Sequence, residues 1–228
     1  MSTSPKLKLY EEFASIARAL GNAHRIDILE HLGQGERGVD ALAAKTGLST
    51  ANTSQHLQQL KRAGLVESRR DGKYILYRLT GDNVLALLGA LFEVGERNLA
   101  EVDQVLRGYF QQRDDMEPVS HEELLERSRD GLVTVLDVRP KDEFEMDHLP
   151  GAKNIPLEEL ETRLSEIDPA HEVIAYCRGP YCVLSFEAVA ALRQRGIKAR
   201  RLEDGLPEWR AAGLPVEQLT CAPKTPPK

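Results

Sequence analysis

Hydrophobic and polar positions in the first third of the chain follow a helical period and then change to the alternation of β-strands. Apolar side chains recur at helical spacing in four segments, residues 8–20, 23–32, 40–45 and 49–63. Asn22 and Ser49 precede two of these segments and are typical N-cap residues. Two strand-like runs then flank Asp71-Gly72, which predicts a β-hairpin. This order of elements predicts a winged helix-turn-helix.

A long helical pattern follows the hairpin, from Asp82 to about Gln112. At 1.5 Å per residue it would span roughly 46 Å, which is too long for one small domain to cover. Its apolar residues alternate between three- and four-residue spacing, the period of a helix–helix seam: Leu88, Leu91, Leu99, Val102, Leu106 and Tyr109. Packing within its own domain is the alternative, but the length of the seam favours a homodimer interface.

Strands and helices alternate in the second half of the chain, after a polar segment that ends at Pro118. Strands are predicted at 132–138, 173–176 and 199–202, and helices at 157–166, 183–195 and 206–212. This alternation predicts an α/β domain with a central parallel sheet and helices on its faces. We therefore expect two domains, a mainly α winged helix-turn-helix at 1–110 and the α/β domain at 119–219, with a linker at 111–118 and a disordered tail at 220–228.

The net charge of −6 is unevenly distributed along the chain. Residues 45–78 carry seven basic side chains against two acidic ones, although the protein as a whole is mildly acidic. A local basic surface of this kind is typical of nucleic-acid binding, and an ordinary solvated surface is the alternative.

The N-terminal residues lack the apolar core of a signal peptide, and the longest apolar runs are short and interrupted by charge. These features predict a cytoplasmic location and no membrane span. Three cysteines, an odd number, do not make a disulfide framework. In a reducing compartment, cysteines are more often buried, metal-bound or catalytic.

The helix predicted at 49–63 begins with short side chains that can hydrogen-bond: Thr50, Asn52, Thr53, Ser54, Gln55 and His56. Such side chains at the start of a recognition helix contact base edges and phosphates in the major groove. Arg69, Arg70 and Lys73 stand at the hairpin tip, where cations suit phosphate or minor-groove contacts. We expect double-stranded DNA as a partner, although His56 taken alone is more often a packing residue.

Residues 8–110 resemble the ArsR family of dimeric winged-helix repressors through LGNAHRIDILEHL and LAAKTGLSTANTSQHLQQLKRAGLVESRRDGKYILYRL. The resemblance implies a homodimer that binds an inverted-repeat operator. Family members that sense arsenic carry a Cys-x-Cys pair where this chain has Gly38-Val39-Asp40. Of the zinc ligands on the last helix only Asp82 matches, and the other positions hold Val84, Gly95 and Asn98. We therefore expect no metal site and no cofactor.

Two of the three cysteines lie in IAYCRGPYC, residues 174–182. The pattern predicts a strand that ends at Cys177, a loop of Arg178, Gly179, Pro180 and Tyr181, and a helix that begins near Cys182. Loop amides and a helix N-terminus form a cradle for an anion and lower the pKa of a thiol, so that Cys177 is a candidate nucleophile assisted by Arg178. A buried inert cysteine is the alternative, and a metal site is disfavoured because Cys-x4-Cys lacks the usual Cys-x2-Cys spacing.

Residues 119–218 resemble the rhodanese domain through LDVRP at 136–140, HLPGAKNIP at 148–156 and LEDGLPEW at 202–209. The resemblance implies that Cys177 carries a persulfide taken from a donor such as thiosulfate, polysulfide or another persulfide. Asp137, Arg139 and His148 are expected to form the scaffold around the loop, with Arg139 balancing Asp137 and Glu143. Cys182 stands where the family has a second arginine, which makes Cys182 a candidate resolving thiol.

The resulting hypothesis is a DNA-binding repressor whose operator binding responds to sulfane sulfur on Cys177. One alternative is an active sulfurtransferase that carries a DNA-binding domain. Another is a constitutive repressor with a degenerate rhodanese domain. The sequence leaves open the operator, the donor, the role of Cys221, whether Cys177 and Cys182 bridge, and whether sulfur releases or tightens DNA.

Overall fold

The computed structural model of the protein describes residues 4–111 and 117–219. The chain divides into two compact units, Met1–Glu93 and Val94–Lys228. The fold class expected from the sequence, a winged helix-turn-helix followed by an α/β domain with a parallel sheet, is confirmed. Most of the predicted linker (residues 112–116), the predicted tail and Cys221 lie outside the described residues.

The first unit begins with helices that alternate with short strands: α1 (Pro5–Leu20), α2 (Ala23–Gly33), β1 (Arg37–Gly38), α3 (Val39–Thr46), α4 (Thr50–Arg62), β2 (Val66–Asp71) and β3 (Tyr74–Leu79). The predicted caps are present, because the Asn22 side chain accepts from the Arg25 N–H and the Ser49 side chain from the Asn52 N–H. β1 pairs with β3 in an antiparallel sheet of order β1-β3-β2. The sequence did not indicate β1, because two residues are too few to show strand alternation.

α4 is held against the first two helices by apolar packing and by one buried guanidinium. Leu57 and Leu60 of α4 are fully buried against Ile28 and Leu29 of α2. The Arg25 guanidinium donates to the Gln59 side chain at 2.6 Å and to the Arg18 carbonyl at 3.0 Å. These contacts fix α4 by its inner face and leave its outer face to solvent.

The predicted long helix is wrong in one respect, since it is interrupted. α5 (Asn83–Asn98) is followed by Leu99, whose extended backbone has φ −110° and ψ 109° and interrupts the helix. The chain then continues in α6 (Ala100–Val105) and a π-helical turn (Leu106–Gln111). The Asn98 side chain donates to the Val94 carbonyl at 2.8 Å, an alternative partner for the backbone of the last turn.

The second unit is built on a parallel sheet of order β5-β4-β6-β7. Its elements are α7 (His121–Arg129), β4 (Val133–Asp137), α8 (Lys141–Phe144), β5 (Lys153–Asn154), β6 (Glu172–Tyr176), α9 (Val183–Gln194), β7 (Ala199–Arg201) and α10 (Leu206–Ala211). The helix predicted at 157–166 is instead two 3-10 segments, Leu157–Thr162 and Leu164–Glu166. Across the described part of the chain, helices long and apolar enough to cross a membrane are absent.

Two apolar clusters flank this sheet. One joins Cys177 to α9 through residues such as Ala188 and Val189, and the other surrounds Tyr176 and Trp209. Cys177 therefore lies at the carboxyl end of the central strand β6, on the α9 side of the sheet.

Candidate functional site

The outer face of α4 carries part of the predicted DNA-reading set. Thr50, Asn52 and Gln55 are exposed, and Ser54 is half-buried. Thr53 is fully buried, and its hydroxyl donates to the Ser49 carbonyl at 3.0 Å. The structure therefore places Thr53 in the packing of the helix start rather than on the outer face.

His56 is half-buried beside His24, with ring centroids 6.0 Å apart. Burial lowers the pKa of His56, and the nearby Arg25 and His24 lower it further. Its buried Nδ1 has no hydrogen-bond partner among the residues that the structure describes. His56 is therefore held as a neutral ring within the helix packing.

The hairpin tip presents cations with different surroundings. Arg69 binds the Glu36 carboxylate, with Nε–Oε1 and Nη2–Oε2 distances of 2.9 and 2.5 Å, and Glu36 raises the pKa of Arg69. Arg70 donates to the Gly72 carbonyl at 3.0 Å, and the Lys73 ammonium lies 5.2 Å over the Tyr74 ring. Neither of these two contacts compensates the positive charge.

The Cys177 loop, residues 177–182, runs from the end of β6 to the start of α9. Cys177 is buried, with 1% of its surface exposed, and Cys182 is half-buried at the N-cap position of α9. The Cys182 N–H donates to the Gly179 carbonyl at 3.1 Å, which closes the turn. A disulfide joins Cys177 to Cys182, with a Cα–Cα distance of 6.1 Å. The sequence left this pairing open.

Arg178 points its charge at a buried carboxylate. Its Nε and Nη2 donate to the two oxygens of Glu143 at 2.8 and 2.9 Å, and Glu143 is fully buried on α8. The sequence predicted Glu143 as a charge partner of Arg139, and against the effect of burial Asp137 and Glu143 do raise the pKa of Arg139, but the sequence missed the pair with Arg178. Because the ion pair compensates the guanidinium, Arg178 contributes little net positive potential to the thiol.

Arg139 and Asp137 form a fully buried ion pair with an Nη2–Oδ2 distance of 2.6 Å. Arg139 also donates to the Asp147 carbonyl at 2.8 Å. Burial first, and then Asp137, raise the pKa of Tyr176 well above its usual value, so that its hydroxyl stays neutral and accepts from the Leu149 N–H at 3.0 Å. These residues tie β4, β6 and the segment before β5 together, in the supporting position that the sequence predicted.

Gly205, which precedes α10, makes the closest backbone approach to the loop. A Cβ placed there would lie 2.3 Å from the Arg178 carbonyl carbon and 2.4 Å from the Gly179 nitrogen. The Glu208 carboxylate accepts from the Gly205 N–H at 3.0 Å, and burial raises the pKa of Glu208. The motif LEDGLPEW contains both residues, but the sequence did not indicate that they contact the Cys177 loop.

Tyr181 connects the loop to residues near the start of the second unit. Its hydroxyl donates to the Glu96 carboxylate, and its ring lies 6.4 Å from the Phe110 ring. Phe110 also meets Phe186 of α9 edge-on, with centroids 4.7 Å apart. The side chain between the two cysteines in the loop is therefore in direct contact with the last part of α5 and with the π-helical turn.

Clusters of three or more His, Cys, Asp or Glu side chains that could hold a metal ion are absent from the described ranges.

Comparisons with known proteins agree with this division of the chain. Residues 22–68 match the sequence model of bacterial regulatory proteins of the ArsR family, and residues 120–212 match that of the rhodanese-like domain. The HTH-type transcriptional regulator Rv0324 of Mycobacterium tuberculosis is 42% identical over 213 residues, which cover 93% of each chain.

Two solved structures each match one part. The homodimeric winged helix-turn-helix DNA-binding domain of a Mycobacterium bovis protein is 38% identical, with a TM-score of 0.41, and the match covers 44% of this chain and 94% of that one. A rhodanese-related protein of Thermoplasma volcanium is 26% identical, with a TM-score of 0.40, over 45% of this chain and 98% of that one. The chain belongs to the ArsR family of bacterial regulatory proteins, as a member that joins a winged helix-turn-helix to a rhodanese-like domain.

Proposed function

We propose that this DNA-binding transcriptional regulator is a repressor whose hold on its operator responds to sulfane sulfur at Cys177. The observation that carries the proposal is the position of two cysteines in one strand–loop–helix turn, with Cα atoms 6.1 Å apart. That separation lies within the range in which a disulfide forms without moving the backbone. The same loop can therefore exist as a dithiol, as a persulfide or as a disulfide.

The chemistry requires two thiolate displacements. The Cys177 thiolate attacks the outer sulfur of a donor, a new S–S bond forms, and the donor's leaving group departs with the electron pair of the broken S–S bond. The Cys182 thiolate then attacks Sγ of the Cys177 persulfide and expels hydrosulfide, which leaves the Cys177–Cys182 disulfide. The N-terminus of α9, next to Cys182, favours the thiolate form of a nearby cysteine.

A route from sulfur chemistry to the rest of the protein is provided by Tyr181. This residue lies inside the ring that the disulfide closes, and it contacts Glu96 on α5 and Phe110 in the π-helical turn. Opening or closing the ring changes the allowed positions of Tyr181 and hence its contacts with α5. Coupling between two sites requires such an element with two arrangements.

A homodimer is proposed from exposed apolar side chains of the first unit. Leu9 and Phe13 on α1 and Leu87 and Leu91 on α5 are all exposed, whereas Leu88 is buried in the core of its own unit. In the second unit Leu99 is exposed, and Val102 and Leu106 are half-buried. Exposed large apolar side chains on these helices would be covered in an interface between subunits.

Arg70 and Lys73, at the hairpin tip, are proposed to contact DNA phosphates. Replacing Arg70 and Lys73 with alanine should weaken DNA binding at all sequences and reduce the slope of log affinity against log salt by about 0.9 for each phosphate that is no longer neutralised. Fluorescence anisotropy at several salt concentrations measures the slope. Arg78→Ala is the matched control, because Arg78 lies on the same hairpin but pairs with Glu67 at 2.6 Å. An equal reduction of the slope in Arg78→Ala would contradict the assignment.

The proposed function is tested by titrating DNA with the full-length protein in three states: reduced, treated with inorganic polysulfide, and oxidised to the disulfide. A duplex selected from random sequence by the reduced protein serves as the operator. The sulfur-loaded and oxidised states should differ from the reduced state by about tenfold in affinity, within the usual range of coupling between sites. Mass mapping of the cysteines reports the state, and light scattering should give twice the chain mass of 25.4 kDa.

Equal affinity in all three states would contradict sensing. If Cys177 also turned over a sulfur donor, that result would indicate a sulfurtransferase joined to a DNA-binding domain. If Cys177 took no sulfur at all, it would indicate a constitutive repressor.

A further inference from the structure

The charges around the Cys177 loop are unusual for a site that would take a doubly charged donor. The loop contributes one cation, Arg178, and three carboxylates lie against different loop residues: Glu143, Glu208 and Glu96. From this arrangement we infer that the loop accepts singly charged or neutral sulfur donors and discriminates against dianions such as thiosulfate. The inference rests on the proposed function, because it names the class of donor that loads Cys177.

Arg178 already forms an ion pair with the carboxylate of Glu143. Both oxygens of Glu143 accept hydrogen bonds from its guanidinium; Glu143 is fully buried, and Arg178 is 20% exposed, so water screens the pair only from the Arg178 side. A bidentate pair with a buried carboxylate is geometrically fixed, and its two charges sum to zero. An incoming anion would therefore have to compete with Glu143 for the same guanidinium hydrogens.

Two further carboxylates remain next to the loop. A methyl group placed on Gly179 would lie 3.8 Å from Glu208 Oε1 and 4.0 Å from Oε2, which puts this carboxyl group in contact distance of the loop backbone. Glu96 accepts from the Tyr181 hydroxyl. Arg201, the guanidinium on the neighbouring strand β7, lies 4.2 Å over the Phe186 ring and donates to the carbonyls of Leu202 and Glu203.

The helix side of the loop adds no side-chain cation. Cys182, at the N-cap position of α9, is uncharged, and Pro180 and Tyr181 before it are also neutral. On this side of the loop, residues 180–182 therefore offer an anion only their backbone groups and the start of α9, which suit one negative charge better than two beside these carboxylates.

The chemical step is the same for donors of either charge. With thiosulfate, the Cys177 thiolate bonds to the outer sulfur and sulfite leaves with the electrons of the S–S bond. With methanethiosulfonate anion, CH3SO2S⁻, the identical attack releases methanesulfinate. The two donors differ by one unit of charge and by the leaving group, and the product on Cys177 is the same persulfide.

The experiment measures the initial rate of persulfide formation on Cys177 in the reduced full-length protein, by mass mapping, with each donor separately. The readout is the ratio of the methanethiosulfonate rate to the thiosulfate rate, compared among variants so that the intrinsic reactivity of each donor cancels. Glu143→Gln keeps a hydrogen-bond acceptor for Arg178 but removes the charge that compensates it. The ratio should fall by about tenfold in this variant, because one unit charge changes the interaction with a dianion more than with a monoanion.

Glu208→Gln is a second variant that does not alter a buried ion pair, and it should lower the ratio several-fold. Glu126→Gln is the control, since it removes the same charge at an exposed position of α7. Its ratio should equal that of the unaltered protein. Raising the salt concentration should also lower the ratio in the unaltered protein, because screening weakens repulsion of the dianion most.

A ratio that stays the same in Glu143→Gln and Glu208→Gln while Cys177 is loaded efficiently would overturn the inference and leave the proposed function intact. If Cys177 were loaded selectively by singly charged donors but DNA affinity did not change, the proposed function would be overturned and the donor preference would stand. Failure of every donor to load Cys177 would overturn both.

Discussion

Replacing Cys177 with serine should abolish every effect of sulfur donors on DNA affinity and leave the affinity of the reduced protein unchanged. A serine hydroxyl is not deprotonated at neutral pH in this setting and cannot carry sulfane sulfur, so neither the persulfide nor the disulfide can form. Because Cys177 is 1% exposed, the hydroxyl will be buried, at a cost to the free energy of unfolding of about 1–3 kcal/mol. Anisotropy titrations with and without polysulfide, with unfolding followed in parallel, measure both effects.

Two control variants separate the roles of the cysteines. Cys182→Ser should still accept sulfur on Cys177 but should retain it as a persulfide, which mass mapping detects as one added sulfur atom. Cys221→Ser should behave like the unaltered protein. A donor response that survived in Cys177→Ser, or disappeared in Cys221→Ser, would contradict the assignment of the sensing site to the Cys177 loop.

Substituting alanine for Gly205 should destabilise the second unit more than an ordinary surface change does. The added Cβ would lie 2.3 to 2.5 Å from three backbone atoms of Arg178 and Gly179, so the backbone itself must shift. Overpacking of this kind costs about 3 kcal/mol or more, which corresponds to a fall in Tm on the order of 10 °C or more for a unit of this size. Scanning calorimetry of the full-length protein, with unfolding of the two units resolved separately, measures the change.

Gly179→Ala is the matched control, because it adds the same methyl group on the other side of the contact. Its Cβ would meet only the Glu208 carboxylate, at ordinary van der Waals distance, and the cost should stay within about 1 kcal/mol. If Gly205→Ala unfolded at the same temperature as Gly179→Ala, the close approach of Gly205 to the loop would be refuted.

The parts of the fold that the sequence predicted well depend on local signals. Asn22 and Ser49 cap α2 and α4 as expected, and Asp71-Gly72 lies at the hairpin turn, with Gly72 at φ +60°. Caps and turns involve residues a few positions apart, so the residue types alone indicate them. The parallel sheet of the second unit followed from the alternation of strands and helices.

What the sequence could not predict depends on pairings over longer distances. Glu143 and Arg178 are 35 positions apart, and residue types alone did not favour that pair over Glu143 and Arg139. Gly205 is conspicuous only once the backbone of Arg178 is known to lie against it. The break at Leu99 was hidden because the apolar period continues through it, and period alone does not report the backbone angles of one residue.

The contacts of Gly205 have a consequence for how the loop can move. Residues 177–179 are anchored on one side, since the Leu206 N–H donates to the Cys177 carbonyl at 3.3 Å and Gly205 abuts the next peptide. At the other end of the loop, Tyr181 contacts Glu96 and Phe110 instead. The loop is thus held by the backbone before and at the start of α10 at its Cys177 end. If the proposed function holds, we therefore expect the loop to move mainly at its Tyr181 end when the two sulfur atoms separate or join.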